Sequence, residues 1–274
     1  MQRIKGATKI REHRGTGEGA SYIPWIKTRE ISSTGTKSLI NDWKHGRQIH
    51  TLSRNETNFY YILRWDDHVL DINEQYPLDR ETTLKISESL GVRHPVPAND
   101  PNERMTTDFR VKYLDESGKV KYKAYSVKDS YEQVFGNLEK TGVKRLVEKQ
   151  SVEMSYWKLQ GIPFKIVFGD RDINRTFAMN ISVVVEYYDF QKVHTLQEFL
   201  CYLIAHKHIQ TEMENKVLNI QELTKEYLGT QEQIDSWIAE ITKDHSEYNA
   251  IAKMDYQIAV FRQSDEEKSE SSIL

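Results

Sequence analysis

The sequence has a single cysteine, Cys201, and no apolar run long enough to cross a membrane. One cysteine excludes an intrachain disulfide and any zinc site built from several cysteines. The apolar run at residues 181–185 has the length of a strand, whereas a membrane-spanning helix needs ~18 apolar residues. No apolar stretch follows the basic residues near the N-terminus, so no secretory signal is expected. We therefore expect a cytoplasmic protein without membrane association.

Histidine content and net charge say little about function. The nine histidines are scattered, and His206 and His208 lie two residues apart near a predicted helix end, so they would not share a helix face as zinc ligands. The formal net charge of −3 does not indicate a nucleic-acid-binding protein. Acidic metal sites can offset a basic DNA groove, so the total charge does not exclude one either.

Charge is concentrated at the two ends of the chain. Residues 1–14 carry five basic side chains against the single acid Glu12, which predicts a basic N-terminal arm. Its side chains, Arg11 and Arg14 among them, could contact DNA phosphates, or the arm could be a frayed and solvated terminus. Residues 264–270 are acidic and rich in serine, so residues 264–274 are predicted to form a disordered acidic tail.

The first 170 residues have the pattern of an α/β domain. Residues 53–56 form a capping box that predicts the start of a helix, and residues 69–78 are extended. The elements expected after them are strands over 107–113 and 120–127 around a turn at 115–118, a helix over 131–159 ended by Gly161, and a strand over 162–168. Strands alternating with a long helix predict an α/β core for residues 1–170.

The pattern changes after residue 170. Three short helices are expected, opened by the capping box at 195–198, by residue 220 and by residue 230, and a strand is expected at 256–261. Short helices followed by a strand predict a small, mainly helical domain of winged-helix type over residues 171–263.

The predicted hairpin carries the clearest chemistry. Asp108 lies in its first strand, and Ser126, Val127 and Lys128 end its second strand. An acid beside a lysine on the next strand is typical of metal-dependent nucleases, in which the carboxylate binds Mg²⁺ and the lysine orients the attacking water. The Val127 carbonyl would complete the metal shell. A plainer interpretation, solvated charges at strand ends, stays open because such residues are common in hairpins.

Two glutamates are candidates to join the hairpin site. Glu56 lies on the first predicted helix, where a glutamate in a capping box also serves as a local helix cap. Glu153 shares an inward helix face with Gln150 and Trp157. A buried acid needs a partner. The partner of Glu153 is either Lys128 or a metal ion at the active site, or the acid belongs to a structural ion pair.

Beyond these local patterns, the sequence resembles the TnsA family, the endonuclease subunits of heteromeric bacterial transposases that move DNA by cut and paste. The resemblance runs from about residue 15 to residue 174. It consists of YIPW at 22–25, GR at 46–47, LS at 52–53 with Glu56, VLDI at 69–72, EQYPL at 74–78, HPV at 94–96, MTTDF at 105–109, VK at 127–128, YW at 156–157, IPF at 162–164, and Asp170 with IN at 173–174. No single segment is specific, but so many in one order are.

The resemblance implies a restriction-endonuclease-like N-terminal domain. The family's catalytic glutamate, aspartate and lysine fall on Glu56, Asp108 and Lys128, and a further active-site glutamate matches Glu153. Asp108 and Glu56 would hold the metal ion, with the Val127 carbonyl as a third ligand.

This chain departs from the family on both sides of the lysine. The family has glutamine two residues before it, where this chain has Ser126, and proline after it, where this chain has Asp129. Ser126 would hold metal through its hydroxyl or through a water molecule, or would leave the metal to the other ligands. Asp129 would either bind metal or be solvated.

The resemblance also implies a reaction and its partners. The protein would be a Mg²⁺-dependent DNA endonuclease, with one or two ions and with Mn²⁺ as a substitute. It would cleave the 5′ strands of double-stranded DNA at transposon ends. A TnsB-like transposase subunit would cut and join the 3′ strands, and a TnsC-like ATPase would regulate the complex.

Two other functions stay open at this point. A non-catalytic adaptor would keep the fold to bind DNA ends and partner subunits, and Ser126 favours that role. A free-standing restriction-type nuclease would cleave plasmid DNA alone, whereas a transposase subunit should be nearly silent without its partner.

Overall fold

The computed structural model describes residues 4–31, 35–96, 98–136 and 141–242. The chain divides into two compact units, Met1–Asn174 and Arg175–Leu274. No helix in the described part of the chain is long and apolar enough to span a membrane. The predicted strand at 256–261 and the predicted acidic tail at 264–274 lie outside the described residues.

The first unit alternates helices and strands. Its elements are α1 (Gly6–Arg11), β1 (Ser38–Asn41), β2 (Gln48–Thr51), α2 (Arg54–Trp65), β3 (Val69–Pro77), α3 (Arg80–Ser89), β4 (Thr106–Leu114), β5 (Val120–Lys128), α4 (Tyr131–Phe135), α5 (Thr141–Leu159) and β6 (Phe164–Phe168). Two 3₁₀ turns, Gly19–Ser21 and Thr28–Glu30, lie between α1 and β1. The predicted helix over the capping box, the hairpin and the strand after Gly161 are confirmed as α2, β4–β5 and β6.

Strands β3, β4, β5 and β6 form one sheet in that order. The first three are antiparallel, and β6 is parallel to β5. A parallel neighbour requires a crossover connection, which α4 and α5 supply. Side chains of the sheet alternate between two apolar layers: Phe59 and Tyr60 of α2 pack on one face, and Ile86 of α3 packs with Val152 and Trp157 of α5 on the other. The predicted α/β core is confirmed.

The predicted long helix over residues 131–159 is two helices, α4 and α5, on either side of residues 137–140, which are not described. The Gly136 N–H donates to the Glu132 carbonyl, and a Cβ at Gly136 would lie 2.4 Å from that oxygen, so this turn requires a glycine. The predicted end at Gly161 is confirmed, since Gly161 has a φ of 66°, which glycine adopts without strain.

The basic N-terminal segment is packed against the first unit rather than free. Lys9 Nζ donates to both carboxylate oxygens of Glu103 at 2.9 Å, and both side chains are buried. Arg14 is also buried and donates to Glu30 at 2.7 Å. Neither a phosphate-binding arm nor a solvated terminus describes Lys9 and Arg14, because each already neutralises a partly or fully buried acid. Arg11 is exposed.

The described part of the second unit, up to residue 242, contains helices only. They are α6 (Arg175–Val184), α7 (Leu196–Ala205), α8 (Ile220–Leu228) and α9 (Gln231–Thr242), with 3₁₀ turns at Val185–Tyr187 and Phe190–Lys192. The three predicted helices are confirmed as α7, α8 and α9. The short apolar run at residues 181–185 lies at the end of α6 and in the turn after it, and Ala178, Ile181 and Val184 are buried at a helical three-residue spacing.

Candidate active site

The candidate site lies where β4 begins and β5 ends. The β4–β5 register pairs Phe109 with Tyr125, so Asp108 falls opposite Ser126. Side chains two residues apart on a strand share a face, which places Lys128 on the same side as Ser126. Strand pairing therefore gathers one acid, one hydroxyl and one cation on a single face of the sheet.

One carboxylate oxygen organises this cluster. Asp108 Oδ2 accepts hydrogen bonds from the Val127 N–H at 2.6 Å, from Ser126 Oγ at 3.2 Å and from Lys128 Nζ at 3.3 Å. The Asp108 and Lys128 side chains are only 15% and 12% exposed. This geometry differs from the solvated strand-end charges that the hairpin pattern left open.

The Lys128 ammonium contacts the very oxygens that were predicted to bind metal. Besides Asp108 Oδ2, its Nζ donates to Ser126 Oγ at 2.6 Å and to the Val127 carbonyl at 2.8 Å. Three oxygens that converge on one cation form a site for positive charge. A divalent ion bound by these oxygens would require the ammonium to move away from them.

Glu56 lies in the first turn of α2, where its predicted role as a helix cap is confirmed. The helix cap is formed, since the Glu56 N–H donates to Ser53 Oγ at 3.1 Å and the Glu56 carboxylate accepts from the Leu52 N–H at 2.9 Å. The same carboxylate is buried, and its Oε2 also accepts from Gln75 Nε2 at 3.2 Å. Glu56 is therefore a cap whose carboxylate faces β3.

Glu153 is fully buried on α5 and has neutral hydrogen-bond partners. Thr107 Oγ1 donates to Glu153 Oε1 at 2.8 Å, and Gln150 Nε2 donates to Oε2 at 3.3 Å. Trp157 Nε1 donates in turn to Thr107 Oγ1 at 2.7 Å. Because Thr107 precedes Asp108 in β4, this chain of hydrogen bonds connects α5 to the strand that carries the aspartate.

The acids at the site differ in pKa. Burial, together with the negative charge of Asp108, raises the pKa of Glu56 to about 8. Burial also raises the pKa of Glu153 to about 7, although Lys149 and Lys128 lower it. Burial acts to raise the pKa of Asp108 too, but the charges of Lys128 and Lys149 bring it below its usual value. Strongly shifted acids beside a lysine are typical of functional sites.

The donor atoms fit a Mg²⁺-type cation. Mg²⁺ is usually held by one or two carboxylates and keeps several waters, and the Asp108 carboxylate and Val127 carbonyl are oxygen ligands of this kind. Over the described residues, no group of three or more His, Cys, Asp or Glu side chains is placed to hold a metal ion. In the same part of the chain, the buried Gln150 Oε1 beside Glu153 has no hydrogen-bond partner.

Sequence patterns did not single out three residues of this region. Gln75 contacts Glu56 from β3, Thr107 contacts Glu153, and the charge of Lys149 acts on both Asp108 and Glu153. Only Lys149 had a local signal, because it lies four residues before Glu153 on one helix. The predicted candidate Asp129 accepts a hydrogen bond from Asn55 of α2 at 2.9 Å.

The mixed sheet, its parallel fourth strand and the acid–lysine hairpin define the first unit as a restriction-endonuclease-like domain. Residues 66–169 match the family model of the TnsA-like endonuclease N-terminal domain. That match includes Asp108, Lys128 and Glu153, whereas Glu56 lies before it.

A curated relative extends the likeness. The chain is 33% identical over 218 residues to the transposon Tn7 transposition protein TnsA of Escherichia coli, and the alignment covers 79% of this chain and 74% of the relative. The chain belongs to the TnsA family. Because 218 aligned residues exceed the 174 residues of the first unit, the likeness reaches beyond Asn174, further than the sequence segments indicated.

Proposed function

We propose that this protein is the Mg²⁺-dependent endonuclease subunit of a heteromeric transposase and that it cleaves the 5′ strands at transposon ends. The observation that carries the proposal is the hydrogen-bonded cluster of Asp108, Ser126 and Lys128 beside two buried glutamates, in a chain of the TnsA family. An acid and a lysine on one face can act together on a phosphodiester.

The metal would be held by the Asp108 carboxylate, the Val127 carbonyl and Glu56, with Ser126 contributing its hydroxyl directly or through water. One or two Mg²⁺ ions fit this role, and Mn²⁺ would substitute because it accepts the same oxygen ligands. When bound, such an ion polarises the scissile phosphate and lowers the pKa of bound water.

The residues of the chain have separate tasks in this proposal. Lys128, released from Asp108, orients the attacking water and stabilises negative charge on the phosphate. Asp108, which stays ionised at neutral pH, would hold the metal ion through its carboxylate. Glu153 holds Thr107 from α5 and places a second carboxyl group beside the cluster, where it can accept a proton near neutral pH.

The partners follow from the family. The relative's name describes a transposition protein of transposon Tn7. We infer that this chain acts on double-stranded DNA at transposon ends, with a TnsB-like subunit for the 3′ strands and a TnsC-like ATPase regulator. Residues 171–263 and the tail would be the docking surface for these proteins, and residues 1–170 would be the catalytic domain. Such a complex works on DNA in the cytoplasm.

An excision assay with the purified TnsB-like partner, end DNA and Mg²⁺ tests this function. Asp108→Ala should lower 5′-strand cleavage by at least ~10²-fold, since metal catalysis supplies several kcal/mol and each 1.4 kcal/mol is a factor of ten. The 3′-strand cutting should persist. Glu116→Ala, which removes an exposed acid from the turn of the same hairpin, should leave both cuts unchanged.

The alternatives give different results in this assay. Unchanged 5′ cleavage by Asp108→Ala would contradict the active site and favour the adaptor role, for which Ser126 is the supporting feature. Efficient cleavage of plasmid DNA by this protein alone would instead indicate a free-standing nuclease.

A further inference from the structure

Gln75 lies in β3 directly opposite the catalytic candidate of β4. The β3–β4 register pairs Glu74 with Phe109 and Tyr76 with Thr107, so Gln75 falls opposite Asp108. Its side chain is buried. Gln75 is thus the cross-strand neighbour of Asp108 on one side, as Ser126 is on the other.

The backbone of Gln75 has an unfavourable conformation for its residue type. Its φ is 49°, in the left-handed region where a Cβ crowds the following carbonyl and where glycine is free of strain. Among the described residues, His13 and Lys207 are the other non-glycine residues with positive φ, and neither of them is buried. A buried glutamine in a position that suits glycine indicates that its side chain contributes something glycine would not.

Two contacts fix the direction of the Gln75 amide. The Thr106 hydroxyl donates to Gln75 Oε1 at 3.3 Å, which leaves Nε2 to donate to Glu56 Oε2 at 3.2 Å. Glu56 Oε2 also accepts from the Leu52 N–H, whereas among the described residues Glu56 Oε1 accepts from Ser53 Oγ only. One oxygen of the carboxylate is therefore held by two donors, and the other keeps a lone pair available.

We propose that Gln75 is a positioning residue that holds the Glu56 carboxylate beside Asp108 in the orientation that binds a divalent cation. The proposal rests on the proposed function, because it takes Glu56 as a metal ligand. The charge of Asp108 repels the Glu56 carboxylate, and a neutral amide donor opposes that repulsion. A lysine or arginine in this place would neutralise the carboxylate and compete with the ion, whereas an amide does not.

The test measures the unfolding temperature of the full-length protein over a range of Mg²⁺ concentrations without DNA, and 5′ cleavage in the assembled system over the same range. Gln75→Gly removes the amide and relaxes the backbone. Thr106→Val removes only the hydroxyl that orients the amide. His13→Gly is the matched control, since it relaxes an exposed positive φ far from the site in sequence.

Gln75→Gly should unfold in EDTA at or above the wild-type temperature, while the Mg²⁺ concentration for half-maximal stabilisation rises about tenfold, as for other residues that orient metal ligands. Thr106→Val should raise it by a smaller factor, and His13→Gly should leave it unchanged. Cleavage by Gln75→Gly should recover at high Mg²⁺.

The Mg²⁺ midpoint, the concentration for half-maximal stabilisation, could stay unchanged in Gln75→Gly and Thr106→Val while the wild type responds to Mg²⁺. That result would overturn the role of Gln75 and leave the metal site intact. A lower unfolding temperature in EDTA with no change in midpoint would mean a structural role only and would overturn it equally. Absence of any Mg²⁺ stabilisation in the wild type, or an equal response in Asp108→Ala, would overturn the proposed metal site and this inference with it.

Discussion

Lys128 binds the oxygens that the proposed metal ion would need. Its side chain would therefore occupy one position without the ion and another with it. In the structure its ammonium neutralises Asp108 and bridges to Ser126 and the Val127 carbonyl. In the proposed reaction it would act on water and phosphate instead. Competition between the ammonium and the metal ion for one set of oxygens is the direct consequence.

Lys128→Met keeps the apolar stem and removes the charge. We expect 5′ cleavage to fall by ~10²–10⁴-fold, the usual contribution of a group that assists proton transfer. The Mg²⁺ concentration for half-maximal thermal stabilisation should fall by roughly three- to tenfold, since about 1 kcal/mol of ion pairing no longer competes. Lys121→Met, an exposed lysine on the same strand, is the control. A midpoint that rises in Lys128→Met would contradict the competition.

Glu56 links stability to pH in the metal-free protein. Its pKa is raised to about 8 from a reference of 4.5, so the folded state disfavours the carboxylate. The stability associated with its protonated form is complete below about pH 4.5 and is lost as the pH rises through about 8. A bound cation would reverse this loss, because it favours the ionised carboxylate.

Glu56→Gln should therefore be more stable than the wild type at pH 8 in EDTA and close to it at pH 5. We expect a gap at pH 8 of at least 2–4 °C, the shift that roughly 1 kcal/mol causes in a domain of this size. Thermal unfolding from pH 5 to pH 8 measures it, with Glu116→Gln as the exposed control. A gap of the same size at both pH values would show that the ionisation of Glu56 is not its cause.

At the scale of elements, the connection of α5 to β4 decides where Glu153 lies. Two residues of α5 bind the same hydroxyl of β4: Trp157 donates to Thr107 Oγ1, and Glu153 accepts from it. The inward helix face predicted from the spacing of Gln150, Glu153 and Trp157 is therefore confirmed. Glu153 accepts a hydrogen bond from the Thr107 hydroxyl of the sheet, however, and not from Lys128. Packing of α5 against the sheet fixes the register of this contact.

Trp157→Phe tests that connection. It removes the indole donor from a fully buried site and leaves the Thr107 hydroxyl with one partner fewer, so we expect a loss of ~1–3 kcal/mol in the free energy of unfolding. Urea unfolding measures it. Trp43→Phe is the comparison, because the Trp43 ring packs edge-on against Tyr60 and stacks on Tyr61. Equal losses in the two variants would mean that ring packing, and not the hydrogen bond, holds α5.

Some helices and strands could be predicted from the sequence alone, and others could not. The capping box of α2, the β4–β5 hairpin and α7 to α9 follow from local signals that act within a few residues. α3 has one local signal, its N-cap Asp79, but only a weak apolar pattern, since its buried positions include Thr83 and Ser87. It is held by tertiary contact with the α5 layer instead. α4 ends at Phe135, whereas the helical pattern of the sequence runs on through Gly136.

At the scale of the whole molecule, the chain consists of two compact units. The first unit contains all four predicted catalytic residues, and residues 66–169 carry the family match. In the second unit, Phe199, Leu200 and Leu203 of α7 are fully buried. The net charge of −3 is that of the whole chain and therefore hides the local charges of the site.

The first unit, produced alone as residues 1–174, should fold, because its sheet, both apolar layers and the site lie within it. We expect cooperative thermal unfolding and a Mg²⁺ midpoint within about twofold of the full chain, a difference of ~0.4 kcal/mol. Cleavage in the assembled system should be lost if residues 171–263 dock the partners. The same truncation with Asp108→Ala is the control for the Mg²⁺ response. A fragment that does not fold would show that the two units depend on each other.

The sequence by itself determined the order of the main elements, the hairpin with Asp108 and Lys128, and the family, because caps, periodicity and ordered motifs are local properties of the chain. Only the tertiary structure decided which side chains meet. Lys9 and Glu103 pair across 94 residues, Glu56 reaches Gln75 of β3, and Gln75 falls opposite Asp108. The pairing of β3 with β4 and the packing of layers set these contacts, and they join segments that no tight turn connects, unlike β4 and β5.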